Sequence, residues 1–290
     1  MSKPLVVVTG KNGQLGWELQ QLVASAGTAF DFLFTGREQL DLSDPDMIVA
    51  FFQQHKPAYF INCAAYTAVD KAESEKEFAY MINAASVGLL ATECSKLSCP
   101  FITISTDYVF DGKGTVPYTV DHPADPVNYY GYTKWMGEKL ALAHNPQTLV
   151  IRTSWVYSSH GNNFVKTMLR LMKERDELKV VNDQIGSPTY AADLASALLQ
   201  IITRLTAGKT HYGVYHFSNQ GKISWYDFAM AIKSLASLSC TIHPIFTRDF
   251  PTPAKRPAYS VMDTQQIVAD FGVSLKNWEE SLTVCIRQLS

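Results

Sequence analysis

The sequence predicts an α/β protein with a doubly wound parallel sheet, the Rossmann architecture, and a smaller C-terminal lobe that binds substrate. Short apolar runs without polar alternation, typical of strands buried on both faces, recur through the first half of the chain. Helix-length segments separate these runs, and a glycine-rich turn follows the first of them. Strands joined by helices require right-handed crossovers, which place helices on both faces of a parallel sheet.

The elements follow in order along the chain. Strands are predicted over residues 5–9, 30–35, 59–63, 101–105 and 149–153. Helices are predicted between and after them over residues 14–26, 45–54, 77–97, 130–143, 163–174, 191–206, 224–238 and 278–289. Because the strand–helix alternation loosens after Ser154, we assign residues 1–154 to the nucleotide-binding domain. Residues 155–290 form mainly the substrate lobe, and some of their segments are expected to return to the first domain.

Composition limits the classes of protein and partner. Apolar residues make up 47% of the 290-residue chain and charged residues 18%, which argues against disorder. The net charge of -2 offers no excess of cations for nucleic acid or for an anionic membrane, so we expect a small-molecule substrate. The first apolar run reaches Gly10 after a few residues, too short for a signal peptide or a membrane span. Five scattered cysteines without a Cys-x-x-Cys pair favour a reduced, cytoplasmic protein. For the oligomeric state, the expectation is a monomer or a homodimer.

The glycine-rich turn predicts a dinucleotide site. Gly10, Gly13 and Gly16 follow the first strand and open the first helix. Glycines at this spacing allow a tight turn and a close approach of pyrophosphate to the free N–H groups of the helix. A merely tight strand–helix turn is the alternative interpretation.

Arg37 favours NADPH over NADH. The acidic residue that usually ends the second strand and binds both ribose hydroxyls of NAD is missing, and Thr35, Gly36 and Arg37 stand there instead. A guanidinium suits a 2′-phosphate, although a solvated loop charge would look the same in the sequence.

Tyr130 and Lys134 are the predicted proton donor and its partner. Their spacing of four puts both on one face of a helix that follows the fourth strand. A nearby ammonium stabilises a phenolate and makes the phenol a better acid. At the end of the fourth strand, a hydroxyl from Ser105 or Thr106 can bond a substrate carbonyl, and strand alternation leaves the choice open.

The motifs together resemble the extended short-chain dehydrogenase/reductases, and most closely the dTDP-4-dehydrorhamnose reductase family. The segments that carry the resemblance are Thr-Gly-x-x-Gly-x-x-Gly from Thr9, Ser-Thr-Asp-Tyr-Val-Phe-Asp-Gly from Ser105 and Tyr-Gly-x-Thr-Lys-x-x-Gly-Glu from Tyr130. Further matches, such as Arg-Thr-Ser-Trp-Val-Tyr from Arg152, extend it over nearly the whole chain. The resemblance implies reduction of the 4-keto group of dTDP-4-dehydro-L-rhamnose by NADPH or NADH. This is the last step in making dTDP-L-rhamnose, a nucleotide sugar of cell-wall polysaccharides.

The resemblance also implies roles for individual residues. The catalytic positions are matched by Thr106, Tyr130 and Lys134. The cofactor positions are matched by Gly10, Gly13, Gln14, Leu15, Gly16, Asp41, Leu42, Ala64, Ala65, Tyr66 and Thr67, and Asn83 matches an asparagine that supports the lysine. Positions near the sugar are matched by Asp107, Tyr108, Trp155 and Asn163. Arg256 is a candidate ligand of the diphosphate, because a guanidinium binds phosphate in a bidentate manner.

Two alternatives and one departure accompany this interpretation. The same residues suit a reductase or epimerase of another nucleotide-linked 4-keto sugar, and related proteins bind the cofactor as regulatory subunits without turnover. Some members hold magnesium between subunits. Glu18 matches one of those positions, but Ala192 stands where the second glutamate would be. We therefore expect no bound metal.

Overall fold

A computed structural model describes residues 3–289 and confirms the Rossmann architecture. The strands are β1 (Leu5–Thr9), β2 (Asp31–Thr35), β3 (Tyr59–Asn62), β4 (Phe101–Thr106), β5 (Thr148–Thr153), β6 (Val156–Tyr157), β7 (Glu177–Val181), β8 (Ile185–Gly186), β9 (Thr189–Tyr190), β10 (Gly213–His216), β11 (Ile223–Ser224) and β12 (Thr241–Ile245). The helices are α1 (Gln14–Ser25), α2 (Pro45–His55), α3 (Val69–Ala72), α4 (Lys76–Tyr80), α5 (Ser86–Lys96), α6 (Tyr129–His144), α7 (Phe164–Glu174), α8 (Ala191–Thr206), α9 (Trp225–Leu235), α10 (Gln265–Phe271) and α11 (Trp278–Leu289). A π-helical turn, Met81–Ala85, joins α4 to α5.

Six parallel strands form the central sheet in the order β10-β5-β4-β3-β1-β2. The five predicted strands of the first half are all present within a residue or two of their predicted ends. The sixth, β10, comes from beyond residue 154, so a segment of the second half completes the sheet. Strand order reverses between β1 and β3, and ligands of such sheets bind in the crevice at the carboxyl ends there.

The apolar strands are buried on both faces. Val6 and Val8 of β1 pack with α1, α8 and α10, while Val7 points to the other face and packs with α2, α5 and α6. These residues are fully buried, which explains why the strands show no polar alternation.

The second lobe has a core and short strands of its own. Its core side chains come from α7, α9 and α11 and from β6, β7, β9 and β12, and include Tyr157, Phe228 and Trp278. Three two-stranded ribbons, β6–β9, β7–β12 and β8–β11, accompany these helices. The sequence predicted the helices but none of these strands: four of them have only two residues, and β7 and β12 lack the continuous apolar run by which the strands of the first half were recognised. The division of the chain at residue 154 stays a prediction.

Within residues 3–289, every helix is too short or too polar to cross a lipid bilayer.

Candidate active site

A cleft of about 760 Å³ lies at the carboxyl ends of the central strands, between the sheet and the second lobe. The predicted residues that line it are Gly10, Gly13, Gln14, Leu15, Arg37, Asp41, Leu42, Ala64, Ala65, Thr67, Thr106, Asp107, Tyr108, Tyr130, Lys134 and Trp155. Among the described residues, four predicted ones stand outside the lining: Gly16, Tyr66, Asn163 and Arg256. The cleft thus joins the predicted phosphate loop to the predicted proton donor.

The glycine-rich turn has the geometry of a pyrophosphate cradle. Gly10 has φ +74°, and a Cβ there would lie 2.8 Å from the backbone nitrogen of Ala64. A Cβ on Gly16 would collide with the carbonyl oxygen of Gly10, so Gly16 allows close packing of the turn rather than contact with a ligand. Among the described residues, no side chain caps the start of α1, which leaves first-turn N–H groups for phosphate oxygens. These features fit a dinucleotide.

The rim near β2 carries two cations. Arg37 is exposed and lines the cleft. Lys11, which the sequence analysis did not single out, lies against the same loop, with its ammonium 2.5 Å from a Glu38 carboxylate oxygen and 2.8 Å from Oε1 of Gln39. The Lys11 charge is paired with Glu38, so Arg37 is the cleft-lining cation of this rim that suits a 2′-phosphate.

Replacing Arg37 with alanine is expected to raise KM for NADPH by about tenfold to a hundredfold, the equivalent of a lost charged hydrogen bond of about 1.5–3 kcal/mol. KM for NADH should stay close to the parent value, because NADH has no 2′-phosphate. Steady-state kinetics with each cofactor measure both effects. An equal change for NADPH and NADH would remove Arg37 from this role.

Tyr130 presents a protonated phenol to the cleft. It lies in the first turn of α6, which Asn128 caps by accepting a hydrogen bond from Gly131 N at 2.8 Å. Burial raises the pKa of the Tyr130 phenol, the hydroxyl of Thr106 lowers that pKa, and the negative charge of Asp107 raises it. The net direction is upward, so the phenol keeps its proton at neutral pH, the form that a general acid requires.

The contacts of the two candidate hydroxyls favour Thr106 over Ser105. Ser105 donates a hydrogen bond to the carboxylate of Glu138, which also pairs with the buried Arg152, so its hydroxyl belongs to a buried charged network. Thr106 Oγ1 accepts from Tyr108 N at 3.2 Å, donates to Asp107 Oδ1 at 3.0 Å and lies beside the phenol of Tyr130. Its hydroxyl is therefore positioned beside the phenol, where the oxygen of a carbonyl can contact both.

Lys134 is buried one turn after Tyr130. Its ammonium donates to the carbonyl oxygen of Ile104 at 2.7 Å. Burial lowers the pKa of Lys134 to about 8, and the charge of Glu138 opposes this shift. The Glu138 carboxylate is itself held by Arg152, with 2.7 Å between the two charged groups. The Lys134 charge is thus present at neutral pH, and its predicted influence on the Tyr130 phenol stays a prediction.

Asn83 fixes the loop after β3 by direct hydrogen bonds, and its support of Lys134 stays a prediction. It lies in the π-helical turn, where its side chain accepts from Tyr66 N at 2.9 Å and donates to Tyr66 O at 3.0 Å. It also donates to Thr133 Oγ1 at 3.1 Å, so it reaches α6 at the neighbour of the lysine. The Tyr66 hydroxyl points away to Glu75 at 2.7 Å, which explains why Tyr66 does not line the cleft.

Asp107 offers a buried carboxylate on the substrate side. It is 2% exposed, and burial raises its pKa to about 6. The hydroxyls of Ser260 and Thr106 lower this pKa against burial, and Thr106 donates to Oδ1, whereas Oδ2 makes no direct hydrogen bond among the described residues. A buried oxygen without a partner is costly, so this atom suits a hydroxyl of a bound ligand.

Trp155 has a left-handed backbone, with φ +48°. For a bulky residue this conformation costs about 1–3 kcal/mol and is found mainly at functional sites. Its indole stacks on Trp225, with 3.6 Å between the ring centroids, and both residues line the cleft. Trp225 was missed by sequence reasoning, because a tryptophan at the start of a helix carries no motif.

Asn163 contacts the glycine-rich turn and stands just outside the cleft lining, next to Gly161 and Asn162, which line it; its place near the sugar stays a prediction. Its side chain caps α7 by accepting from Lys166 N at 3.1 Å, and it donates to Gln14 Oε1 at 3.0 Å and to Ser158 O at 2.7 Å. Both ends of the amide are occupied. Its contacts fasten the second lobe to the glycine-rich turn.

Arg256 is engaged by an acid of the nucleotide-binding domain. Its guanidinium lies 2.8 Å from Asp70 in α3, whose other oxygen accepts from Ala254 N at 3.1 Å. Arg256 nevertheless influences the cleft, since its charge lowers the pKa of Tyr108 against the larger effect of burial. To bind a diphosphate, Arg256 would exchange Asp70 for the ligand.

Glu18 is the residue that the sequence matched to a magnesium position, and the absence of a metal stays a prediction. Its carboxylate is 5% exposed and accepts from Ser158 Oγ at 2.6 Å. Burial raises the pKa of Glu18, and this favours the neutral form that binds cations poorly. Within residues 3–289, no group of three or more His, Cys, Asp or Glu side chains could hold a metal ion.

Chelation with EDTA is therefore expected to leave turnover unchanged, because a protein acid can protonate the carbonyl without a Lewis acid. The measurement compares kcat before and after dialysis against EDTA. A large loss that Mg²⁺ restores would overturn this prediction.

Comparison with known proteins gives one consistent result. The chain matches the RmlD substrate binding domain family over residues 4–290. It is 42% identical over 285 residues to a dTDP-4-dehydrorhamnose reductase of Aggregatibacter actinomycetemcomitans, covering 96% of each chain. A Clostridium acetobutylicum structure of such a reductase superposes with a TM-score of 0.93 at 41% identity, covering 98% of this chain and 99% of that one. A Bacillus anthracis structure, in complex with NADP, gives 0.92 at 38% identity, covering 99% and 100%.

Proposed function

The chain belongs to the RmlD family of dTDP-4-dehydrorhamnose reductases, and we propose that it is an oxidoreductase that uses NADPH to reduce dTDP-4-dehydro-L-rhamnose to dTDP-L-rhamnose. The observation that carries this proposal is the meeting of Thr106, Tyr130 and Lys134 with the glycine-rich turn in one cleft. A phosphate cradle at one end and a protonated phenol at the other suit carbonyl reduction.

The residues that would hold the cofactor are those of the glycine-rich turn, the β2 rim and the loop after β3. First-turn N–H groups of α1 bind pyrophosphate, and Arg37 takes the 2′-phosphate. When bound, NADPH supplies the hydride for the keto carbon. Lys134 lies at the depth of the cleft, where its ammonium can bond ribose hydroxyls.

The chain's own groups orient and protonate the carbonyl. Thr106 would turn its hydroxyl from Asp107 Oδ1 to donate a hydrogen bond to the carbonyl oxygen, which fixes the angle of the carbonyl to Tyr130. The Tyr130 phenol then transfers its proton to the same oxygen as negative charge develops there. The Lys134 charge stabilises the phenolate left behind, by its proximity on the same face of α6. Asp107 Oδ2 accepts a hydrogen bond from a sugar hydroxyl.

Two other functions were considered from the sequence, and both remain distinguishable by experiment. A reductase or epimerase of another nucleotide-linked 4-keto sugar would use the same proton donor. A regulatory subunit would bind NADPH without turnover, and the protonated Tyr130 beside Thr106 argues against it, because a binding module needs no positioned acid.

A substrate panel tests the proposed function. NADPH consumption at 340 nm is followed with freshly prepared dTDP-4-dehydro-L-rhamnose and with GDP- and UDP-linked 4-keto sugars in parallel. We expect consumption with the dTDP sugar. Turnover of a GDP or UDP sugar alone would indicate the other substrate, and NADPH binding without turnover of any sugar would indicate the regulatory function.

Arg256 provides a prediction on the substrate side. The Arg256→Ala variant should raise KM for the nucleotide sugar by about tenfold, because a charged hydrogen bond to the diphosphate is lost, while NADPH affinity stays unchanged. The Asp70→Asn variant is the matched control, since it releases the guanidinium and should leave KM at or below the parent value. Kinetics at saturating NADPH measure both, and an unchanged KM in Arg256→Ala would exclude the diphosphate contact.

A further inference from the structure

Two tryptophans stack face to face beside the cleft and form an aromatic wall there, with the surface of Trp155 that the stack leaves uncovered available to a ligand. The indoles of Trp155 and Trp225, called here the indole pair, stack with 3.6 Å between ring centroids and an interplanar angle of 11°. Both residues are partly exposed and both line the cleft. Trp155 precedes β6 and Trp225 starts α9, so the pair joins two segments that are far apart in the sequence.

The backbone of Trp155 and its contact with Gly186 both constrain the orientation of the indole. Its backbone is left-handed, which fixes the direction of the side chain. The ring lies against Gly186 of β8, where an added Cβ would be only 2.6 Å from Trp155 Cε2. In the antiparallel β8–β11 ribbon, Gly186 pairs with Ile223, two residues before Trp225. One short ribbon therefore supplies both the gap for the indole and its stacking partner.

Contacts on two sides hold Trp225 in place. Ser224 caps α9 by accepting from Asp227 N at 3.0 Å, and the Asp227 carboxylate accepts from Ser224 N at 2.9 Å. The ring of Phe164 packs against Trp225 with 4.6 Å between centroids. Phe164 follows Asn163, which is bonded to Gln14 of the glycine-rich turn. Trp225 is thus fixed on both sides, between Phe164 and Trp155.

We propose that Trp225 is a positioning residue: by stacking on Trp155 it fixes the aromatic wall on which the apolar face of a nucleotide-linked 6-deoxy sugar packs. This rests on the proposed function. The face of an indole is apolar, so it suits the methyl group at C5 of a 6-deoxy sugar. It disfavours a hydroxymethyl group, because the hydroxyl would give up its hydrogen bonds to water without replacement. The wall would therefore distinguish 6-deoxy sugars from ordinary hexoses.

Binding measurements on three variants test the proposal. The first two are Trp225→Leu, which removes the stacking partner, and Gly186→Ala, which displaces the Trp155 indole while keeping Trp225. The conservative variant is Trp225→Phe. The control is Trp278→Phe, which changes a buried core tryptophan of the same lobe that does not line the cleft. Calorimetric titration gives Kd for dTDP-L-rhamnose, dTDP-glucose and NADPH, and circular dichroism reports the exciton coupling of two stacked indoles.

We expect Trp225→Leu and Gly186→Ala each to weaken dTDP-L-rhamnose binding by about tenfold and to reduce its preference over dTDP-glucose, with NADPH affinity within twofold of the parent. In turnover, KM for the keto sugar should rise more than kcat falls. Trp225→Phe should recover most of the affinity, and Trp278→Phe should match the parent. The exciton signal should disappear in Trp225→Leu and remain in Trp278→Phe.

The contrary outcomes are separable. Parent-like binding of dTDP-L-rhamnose by Trp225→Leu, with the exciton signal lost, would overturn the positioning role. An equal loss of NADPH affinity and of sugar affinity in Trp225→Leu would also overturn the positioning role, because it would indicate a general structural effect. If the parent binds dTDP-L-rhamnose in preference to dTDP-glucose but turns over no keto sugar, the proposed function fails, and the variants' binding data still decide the role of Trp225.

Discussion

The Tyr130→Phe variant should lose about 10²–10⁴-fold in kcat, the usual contribution of general acid catalysis, while KM for the keto sugar changes much less. The substitution deletes one oxygen. Phenylalanine preserves the perpendicular ring contact with Tyr108, whose centroid lies 5.8 Å away, so the fold and the cradle for pyrophosphate should persist. Because burial holds the pKa of Tyr130 upward, the hydroxyl is a proton donor over the neutral range, and its removal leaves the carbonyl oxygen without an acid.

Steady-state kinetics and fluorescence titration with NADPH measure the two effects separately. Tyr129→Phe is the matched control, because it removes the same oxygen from the neighbouring residue, which does not line the cleft. Its kcat should equal that of the parent. If Tyr130→Phe turns over keto sugar at the parent rate, the proton donor is wrongly assigned.

The Lys134→Met variant should lose both turnover and affinity for NADPH. Methionine fills similar space but removes the charge that stabilises the phenolate and the donor to the ribose hydroxyls. We expect kcat to fall by about 10²-fold or more, with a higher Kd for NADPH. The double variant with Tyr130→Phe should fall by less than the product of the two single effects, because the residues act as one unit.

The pH dependence of kcat is a second test of the role of Lys134. Burial lowers the pKa of Lys134 to about 8, so the ammonium is present below that pH and is lost above it. The parent kcat should therefore decline above about pH 8. Lys139→Met, an exposed change on the same helix, should keep both the parent rate and the parent profile. A Lys134→Met variant with normal NADPH affinity and normal kcat would exclude both roles.

Local patterns were sufficient to predict five of the six strands of the sheet and the glycine-rich turn. The strands of the first half are buried on both faces, so each is a continuous apolar run that no other element resembles. Gly10 has φ +74° and packs against Ala64, so a side chain would not fit there. Because this position requires glycine, the turn is recognisable in the sequence. Tyr130 and Lys134 were found because helical spacing and the preceding strand fix their common face.

Contacts between distant segments could not be predicted. The Asn163 amide bonds Gln14 across the two lobes, and only the tertiary structure determines that partner. The pairing of Arg256, the candidate ligand of the diphosphate, with Asp70 likewise depends on a distant segment that returns to α3. Trp225 joins the cleft through the β8–β11 ribbon, whose two-residue strands have no sequence signature.

The most direct test of the proposed reduction follows the hydride to its destination. The protein is incubated with dTDP-4-dehydro-L-rhamnose and NADPH that carries deuterium at both C4 positions of the nicotinamide, and the sugar product is examined by mass spectrometry and NMR. We predict dTDP-L-rhamnose with one deuterium, located at C4 of the sugar. Label that stays in the cofactor, or that appears at another sugar carbon, would contradict reduction of the 4-keto group in this cleft.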